Sequence, residues 1–391
     1  MLKLLLVWPI LTFFLLLAVF SQVCGNLFVN NLLYQHHLSL TQVGLLNSAF
    51  FWGYLLMQLP AGYWLNRYGR GYLLFIAAIG LGVGSFLFVL APSAAISFIG
   101  RLLMGLSAAF AFVGLVINLG HCIKKESLHF AIGLSSMTCL LAMAALQHQL
   151  PPVIEQYGWQ FVMERFAWVS IFAGVLIALI FPLLQARSSE KEEPILPLFQ
   201  SIAQAMTDAT VLKLGALAFC FFSIFTVFVD LWGSLFLQKV HNFDQQSATR
   251  LIAWVLLGMA FGGPILGVSH RFLQRPLWLL KGGTLVALVL MLMLIFAQDV
   301  RLYEMIGLLF MLGLCCSLNL LIYTVANQWP AENIRGVAVA FCNMMTAFAA
   351  IVFQPLMGFA LMRWQPMQGQ LEFQLIFLAF PIMLLAAFFI I

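Results

Sequence analysis

Charge is what this sequence has least of. Of 391 residues only 8% are Asp, Glu, Lys or Arg against 63% hydrophobic, and the mean hydropathy is +1.04. A soluble domain keeps about 25% charged residues because its surface must stay in water. This chain cannot coat a water-facing surface, so most of its exterior must face lipid. The net charge of +5 is small and the Lys and Arg are scattered, which excludes a nucleic-acid footprint. The seven cysteines (Cys24, Cys122, Cys139, Cys220, Cys315, Cys316 and Cys342) make no CxxC pair and no Cys/His spacing. They read as small apolar side chains rather than disulfides or metal ligands. No phosphate-binding glycine loop, catalytic triad or metal cluster is present either. An ATP-driven pump or membrane enzyme therefore has no chemistry to stand on, and no cofactor is expected.

Apolar runs are what the chain has in abundance. Met1-Leu-Lys3 and the run behind it look like a signal peptide, but the run passes Phe20 without a small-residue cleavage site and reads as a first span. A span needs about 20 apolar residues to cross a hydrocarbon core of about 30 Å. Twelve are expected, at roughly 5–32, 42–65, 72–90, 95–119, 128–150, 164–184, 210–237, 247–269, 277–297, 302–326, 334–361 and 371–391. The longest polar break, Gln185 to Asp208, contains Arg187-Ser-Ser-Glu-Lys-Glu-Glu-Pro194 and divides the chain in two. The expected domains are a six-helix bundle over 1–184, a cytoplasmic linker over 185–209 and a second bundle over 210–391. With the N-terminus in the cytoplasm, twelve Lys and Arg fall on that side and five on the other, with Arg101 inside a helix. That asymmetry calls for an even number of spans with both termini inside.

Between spans 2 and 3 runs Gly62-Tyr-Trp-Leu-Asn66-Arg67-Tyr-Gly69-Arg70. This segment resembles the signature loop of the major facilitator superfamily, G-x-L-a-D-R-x-G-R-R, at Gly62, Arg67, Gly69 and Arg70. It departs from it at Trp64, at Asn66 in the place of an acid, and at Gly71 in the place of a second base. After span 8, Gly263-Pro-Ile-Leu-Gly267-Val-Ser-His270-Arg271-Phe-Leu-Gln-Arg275 looks like a degenerate second copy, with His270 near the position of the acid. Arg101-Leu-Leu-Met-Gly105, Tyr157-Gly158-Trp159-Gln160 and Pro330-Ala-Glu332-Asn-Ile-Arg335-Gly336 resemble further family segments, in the family's order.

The resemblance implies an all-α membrane protein of twelve transmembrane helices in two pseudo-symmetric six-helix bundles. It also implies a gating loop of Gly62, Asn66, Arg67, Gly69 and Arg70, with His270, Arg271 and Arg275 in its copy. Asn66 still accepts a hydrogen bond from a helix end, but without charge assistance, so this gate is expected to be weaker than usual or latched elsewhere. Within the superfamily, Leu231-Trp232-Gly233, Tyr54-Leu-Leu-Met-Gln58-Leu-Pro60 and Phe353-Gln354-Pro355-Leu-Met-Gly358 are similar to one bacterial branch. That branch includes the phagosomal amino-acid and nucleoside transporters of intracellular gammaproteobacteria.

An ionisable side chain at bilayer depth costs about 2.5–3.5 kcal/mol on insertion scales, so each one is a functional candidate. Two stand out. Arg101, about two turns inside span 4, would bind a carboxylate or phosphate; its plainer role is snorkelling or structural pairing. Asp230, beside Trp232 in span 7, would handle a proton or a substrate amine; its plainer role is to cap a break in the helix. Together they would hold a zwitterion. Neutral polar residues recur at helical spacing, Gln22, Asn26 and Asn30 in span 1 and Asn319, Tyr323 and Asn327 in span 10. The family resemblance puts helices 1, 4, 7 and 10 around the central cavity. The expected substrate-binding set is therefore Gln22, Asn26, Arg101, Asp230, Trp232, Asn319, Tyr323 and Asn327, with packing by interhelical hydrogen bonds as the alternative. His36-His37 reads as an outer loop, and Gln147-His148-Gln149 before Pro151-Pro152 as a membrane-interface end.

The leading expectation is a monomeric secondary active transporter in a bacterial inner membrane. It would import a small polar or zwitterionic solute such as an amino acid, with protons and lipid as its other partners. The alternatives are an exporter of drugs or a siderophore, and a non-transporting sensor or assembly factor that retains the fold.

Overall fold

Lipid offers a backbone no donor and no acceptor, so a spanning segment must satisfy its own peptide groups, and a helix does so locally. The computed structural model of the protein describes residues 2–34, 38–67, 70–91, 93–120, 122–123, 125–180, 200, 203–272, 276–330, 334–364 and 370–391. Among these there is no strand, and twelve helical segments follow one another. The first is broken at Cys24, between α1 (Leu2–Val23) and α2 (Gly25–Tyr34). Then come α3 (Leu40–Arg67), α4 (Arg70–Val89), α5 (Ala94–Gly120), α6 (Lys125–Tyr157) and α7 (Trp159–Leu179). The seventh segment joins α8 (Ala209–Ser223) to α9 (Gly233–His241) through a π-helical stretch, Ile224–Trp232. The rest are α10 (Gln245–Phe272), α11 (Pro276–Phe296), α12 (Leu302–Cys316) with α13 (Asn319–Ala326), α14 (Arg335–Trp364), and α15 (Gln370–Phe377) with α16 (Ala379–Ile390).

Among the described residues, eleven of these segments are long and apolar enough to cross a membrane. The twelfth, α3, has the length at 28 residues, but Gln42, Asn47, Gln58 and Asn66 make it more polar. Two expected boundaries are wrong. The helix expected to stop at 150 runs through Pro151-Pro152 to Tyr157. Two missing N–H donors are tolerated where leaving the helix would orphan more backbone groups. The chain turns instead at Gly158, whose φ of +82° is open to glycine and strained for other residues, and α7 starts at Trp159 rather than 164.

The contacts divide the described residues into two compact units, one drawn from 1–25, 45–143 and 152–192, the other from 26–44, 144–151 and 193–391. In the first, α3 and α5 cross backbone to backbone. A methyl on Gly53 would strike the Leu102 carbonyl, and one on Gly105 would strike the Phe50 carbonyl. In the second, α10 and α12 cross in the same way, Gly258 on the Phe310 carbonyl and Gly313 on the Val255 carbonyl. Each helix offers a carbonyl and, three residues later, a glycine, so Phe50/Gly53 with Leu102/Gly105 recurs as Val255/Gly258 with Phe310/Gly313. The repeat lies in close approach of small residues, which is how membrane helices gain van der Waals contact when lipid supplies no hydrophobic drive.

Two outcomes test these statements. Gly53→Val and Gly258→Val should each destabilise by about 3 kcal/mol, the upper end of overpacking, seen as a large drop in melting temperature in detergent. Gly282→Ala, where a methyl meets nothing within 4 Å, should leave melting unchanged or raise it. The second concerns the helix start at Asp244, whose Oδ2 accepts from the Ser247 backbone N–H at 3.0 Å. Hydrogen bonds from the Ser247 side chain and backbone hold this carboxyl below its usual range. A depressed carboxylate pKa contributes stability above the unfolded-state value and loses it as pH falls through the folded one. The deficit of Asp244→Ala, about 1 kcal/mol at neutral pH, should therefore shrink on acidification below about pH 4.

Candidate functional site

In the first unit Arg101 is the organising side chain. It is 1% exposed, two turns into α5. One guanidinium nitrogen, Nη1, donates to the Ser21 carbonyl at 2.6 Å and contacts Cys24 Sγ at 3.5 Å; the other, Nη2, donates to Asn47 Oδ1 at 2.7 Å. The charge also lies 5.2 Å from the Phe50 ring centroid and 5.8 Å from that of Phe88. The Ser21 carbonyl also accepts from the Cys24 thiol at 3.3 Å, and α1 ends two residues on, at Val23. Side-chain bonds to carbonyls of the ladder accompany helix breaks of this kind. Of the expected polar stripe on span 1, Gln22 lies before the break and Asn26 and Asn30 after it.

In the second unit, α2 packs its asparagines against α9. Asn26 Oδ1 accepts from the Ser234 N–H at 3.0 Å, and Ser234 Oγ donates to the Asn26 carbonyl at 3.2 Å. One turn on, Asn30 Nδ2 donates to Gln238 Oε1 at 2.9 Å. Just before Ser234 lies the π stretch with Asp230 and Trp232, both fully buried. The Trp232 indole N–H donates to the Gln354 carbonyl at 3.1 Å, and Gln354 Nε2 donates to the Thr226 carbonyl at 2.6 Å. Two sets of hydrogen bonds thus flank Asp230 in sequence, Trp232–Gln354–Thr226 around the π stretch and Asn26–Ser234 just after it.

Span 10 is interrupted before Asn319, so Asn319 and Tyr323 ride on the short helix α13, which packs on α8 and α14. Tyr323 OH donates to Asn343 Oδ1 at 3.2 Å, and Asn327, the exposed C-cap of α13, keeps the helical bond from its N–H to the Tyr323 carbonyl at 3.0 Å. Several buried polar atoms have no hydrogen-bond partner among the described residues: Asn26 Nδ2, Asn30 Oδ1, Asn319 Oδ1 and both amide atoms of Gln147. Gln147, expected at an interface end, is 0% exposed because α6 continues beyond it.

Of the expected gating loop, Gly62 lies within α3, with only an ordinary contact to Val113. The side chains of Asn66, Arg67, Arg70, His270 and Arg271 lie outside the described residues, as do Gly69, Arg275 and the His36-His37 pair. Among the described residues no three His, Cys, Asp or Glu side chains gather as a metal site requires. Asn47, Ser234, Gln238, Asn343 and Gln354 were not singled out as site residues by the sequence. Gln354 had a signal: an amide beside Pro355 in an apolar span must bond to another helix.

Arg101→Ala should cost about 2–3 kcal/mol, one charged buried hydrogen bond, and should speed amide exchange around residues 21–26. Arg101→Lys should rescue little, because a single ammonium cannot reach Ser21 and Asn47 through two separate nitrogens.

Residues 10–303 match the Major Facilitator Superfamily. The chain is 30% identical over 158 residues to probable anion transporter 4, chloroplastic, of Oryza sativa subsp. japonica, covering 39% of this chain and 25% of that protein. It is 34% identical over 100 residues to multidrug resistance protein 1 of Bacillus subtilis (strain 168), 26% of each. The aligned stretch thus spans about a quarter of these curated relatives. Among solved structures, a bacterial homolog to the human lysosomal transporter Spinster, inward-facing and unoccupied, superposes with a TM-score of 0.74 at 16% identity, covering 99% of this chain and 95% of that one. A mutant of the nucleoside transporter NupG gives 0.74 at 11% identity, covering 100% and 98%. At such identities the likeness is one of fold. The match over most of the chain makes the assignment: this protein belongs to the Major Facilitator Superfamily, a family of transporters and not of enzymes.

Proposed function

We propose that the protein is a secondary active transporter that imports a small polar or zwitterionic organic solute with protons across a bacterial inner membrane. Two six-helix bundles, 1–184 and 210–391 joined by the 185–209 linker, would alternate access to a midplane site, with both termini cytoplasmic and the protein acting as a monomer. The observation that carries the reading is the set of open amide atoms inside apolar helices. Asn26 offers an unused donor and Asn319 an unused acceptor, both buried. Such groups are costly in a protein interior and call for a partner from outside the chain, which a polar solute supplies. Asp230, a carboxyl at full burial on irregular backbone, is the candidate for proton coupling and for a substrate amine. Arg101 enters as the residue that sets the break in span 1, and through it the placement of Gln22 and Asn26. Export is the second reading, favoured by the match to multidrug resistance protein 1 of Bacillus subtilis.

Purified protein in proteoliposomes, offered labelled amino acids, nucleosides, phosphate and cationic drugs with and without an acid-outside gradient, tests this. One polar solute should accumulate under the gradient. Asn26→Ala should raise its KM about five- to tenfold, the loss of one hydrogen bond. Asp230→Asn should abolish gradient-driven accumulation while solute exchange persists. Flux indifferent to the gradient would remove proton coupling, and binding without flux would favour a non-transporting role.

A further inference from the structure

A π stretch nine residues long asks for an explanation. Bonds from i to i+5 normally occur as single turns within α-helices, and such turns cluster at functional sites. Ile224–Trp232 has π character throughout and contains Asp230. A run of that length needs tethers from outside, and one residue supplies two of them. Gln354 Nε2 donates to the Thr226 carbonyl at 2.6 Å, near the start of the stretch, and its own carbonyl accepts the Trp232 indole N–H at 3.1 Å, at the end. Asp230 lies between these points. At the start of the stretch, Thr226 Oγ1 bonds back to the Phe222 carbonyl at 3.1 Å, a competition that loosens the α ladder there.

The same turn of α14 is also pressed by the start of α3. A methyl on Gly44 would run into the Gln354 carbonyl and Pro355, and a methyl on Gly358 would meet both the Leu40 carbonyl and the Trp232 ring. Residues 354–358 are thus held between the first turns of α3 and the π stretch. Because the π turn is wider than the α turn, exchange between them re-aims every side chain in the stretch, the Asp230 carboxyl included.

We infer that Gln354 is a positioning residue for Asp230: it holds the π stretch in register and ties that register to the packing of α3 on α14. The inference rests on the reading of Asp230 as the coupling acid, but its test does not need the substrate. In nanodiscs, Gln354→Leu keeps the bulk and removes the donor. Amide exchange over 224–233 should speed up about five- to tenfold, the loss of one buried hydrogen bond, while α10 at 245–265 stays at the wild-type rate. Labelling of Asp230 by dicyclohexylcarbodiimide, read by mass spectrometry, should shift its pH midpoint, a change that simple loss of stability would not produce. Gly44→Ala should loosen 224–233 in the same way. Wild-type exchange and labelling in Gln354→Leu overturn the inference, and wild-type exchange in Gly44→Ala overturns its tie to α3. If Gln354→Leu does not fold, Gln354→Glu, which keeps the length and replaces the amide donor with a carboxyl, must loosen the stretch or the inference falls. If Asp230→Asn still accumulates solute while Gln354→Leu loosens the stretch, the tether stands and the coupling role of Asp230 falls.

Discussion

At bilayer depth a polar group has only the rest of the protein to bond to, and much of the shape of this chain follows from how that demand is met. Arg101 meets it by bonding the Ser21 carbonyl of span 1, just before the helix breaks at Cys24. Gln354 meets it by bonding the Thr226 carbonyl, and the backbone around that point is π-helical. Ser234 and Asn26 meet it by pairing side chain with backbone in both directions. In each case a side chain on one helix acts on the backbone of another. Arg101, Gln354 and Ser234 are in this sense determinants of helix geometry.

Glycine plays the complementary part. Where α3 crosses α5 and α10 crosses α12, facing carbonyls leave room for a hydrogen and nothing larger. These crossings hold helices at close range without interlocking side chains, and their repetition in each half is the clearest trace of internal duplication. The segment 26–44 shows the same economy: Gly44 and Gly358 let α3 and α14 meet backbone to backbone, while Asn26 and Asn30 bond to α9. That segment precedes the central linker, yet it clusters with residues that follow it.

The distribution of used and unused hydrogen-bonding capacity separates two kinds of buried polar residue. The Arg101 guanidinium has oxygen partners on two helices and rings beside it. The amides of Asn26 and Asn319 keep a donor and an acceptor open. A deep cation is the more conspicuous feature of a sequence, but it is also the group a fold can least leave unpaired. Neutral amides tolerate an open site and are better suited to exchange a solute for water.

Composition and apolar spacing were enough to read an all-α membrane chain and its succession of spans, because span length is set by bilayer thickness and every apolar run reports it directly. The family was legible only through the resemblance carried by Gly62, Arg67, Gly69, Arg70 and the later motif segments. Asp230 and Trp232 were legible as neighbours at depth in span 7, whereas the pairing of Gly53 with Gly105 and of Gly258 with Gly313 appears only once the helices cross. Helical spacing did not reveal that span 1 breaks between Gln22 and Asn26 or that span 10 breaks before Asn319. Pro151-Pro152 looked like an end and was not, since only the surrounding structure decides whether two lost donors outweigh leaving the helix. Gln354 could be seen as an amide in need of a partner, but not which partner. Local sequence determines which groups need a bond; which carbonyl, 128 residues away in the chain, answers that need is decided when the helices pack.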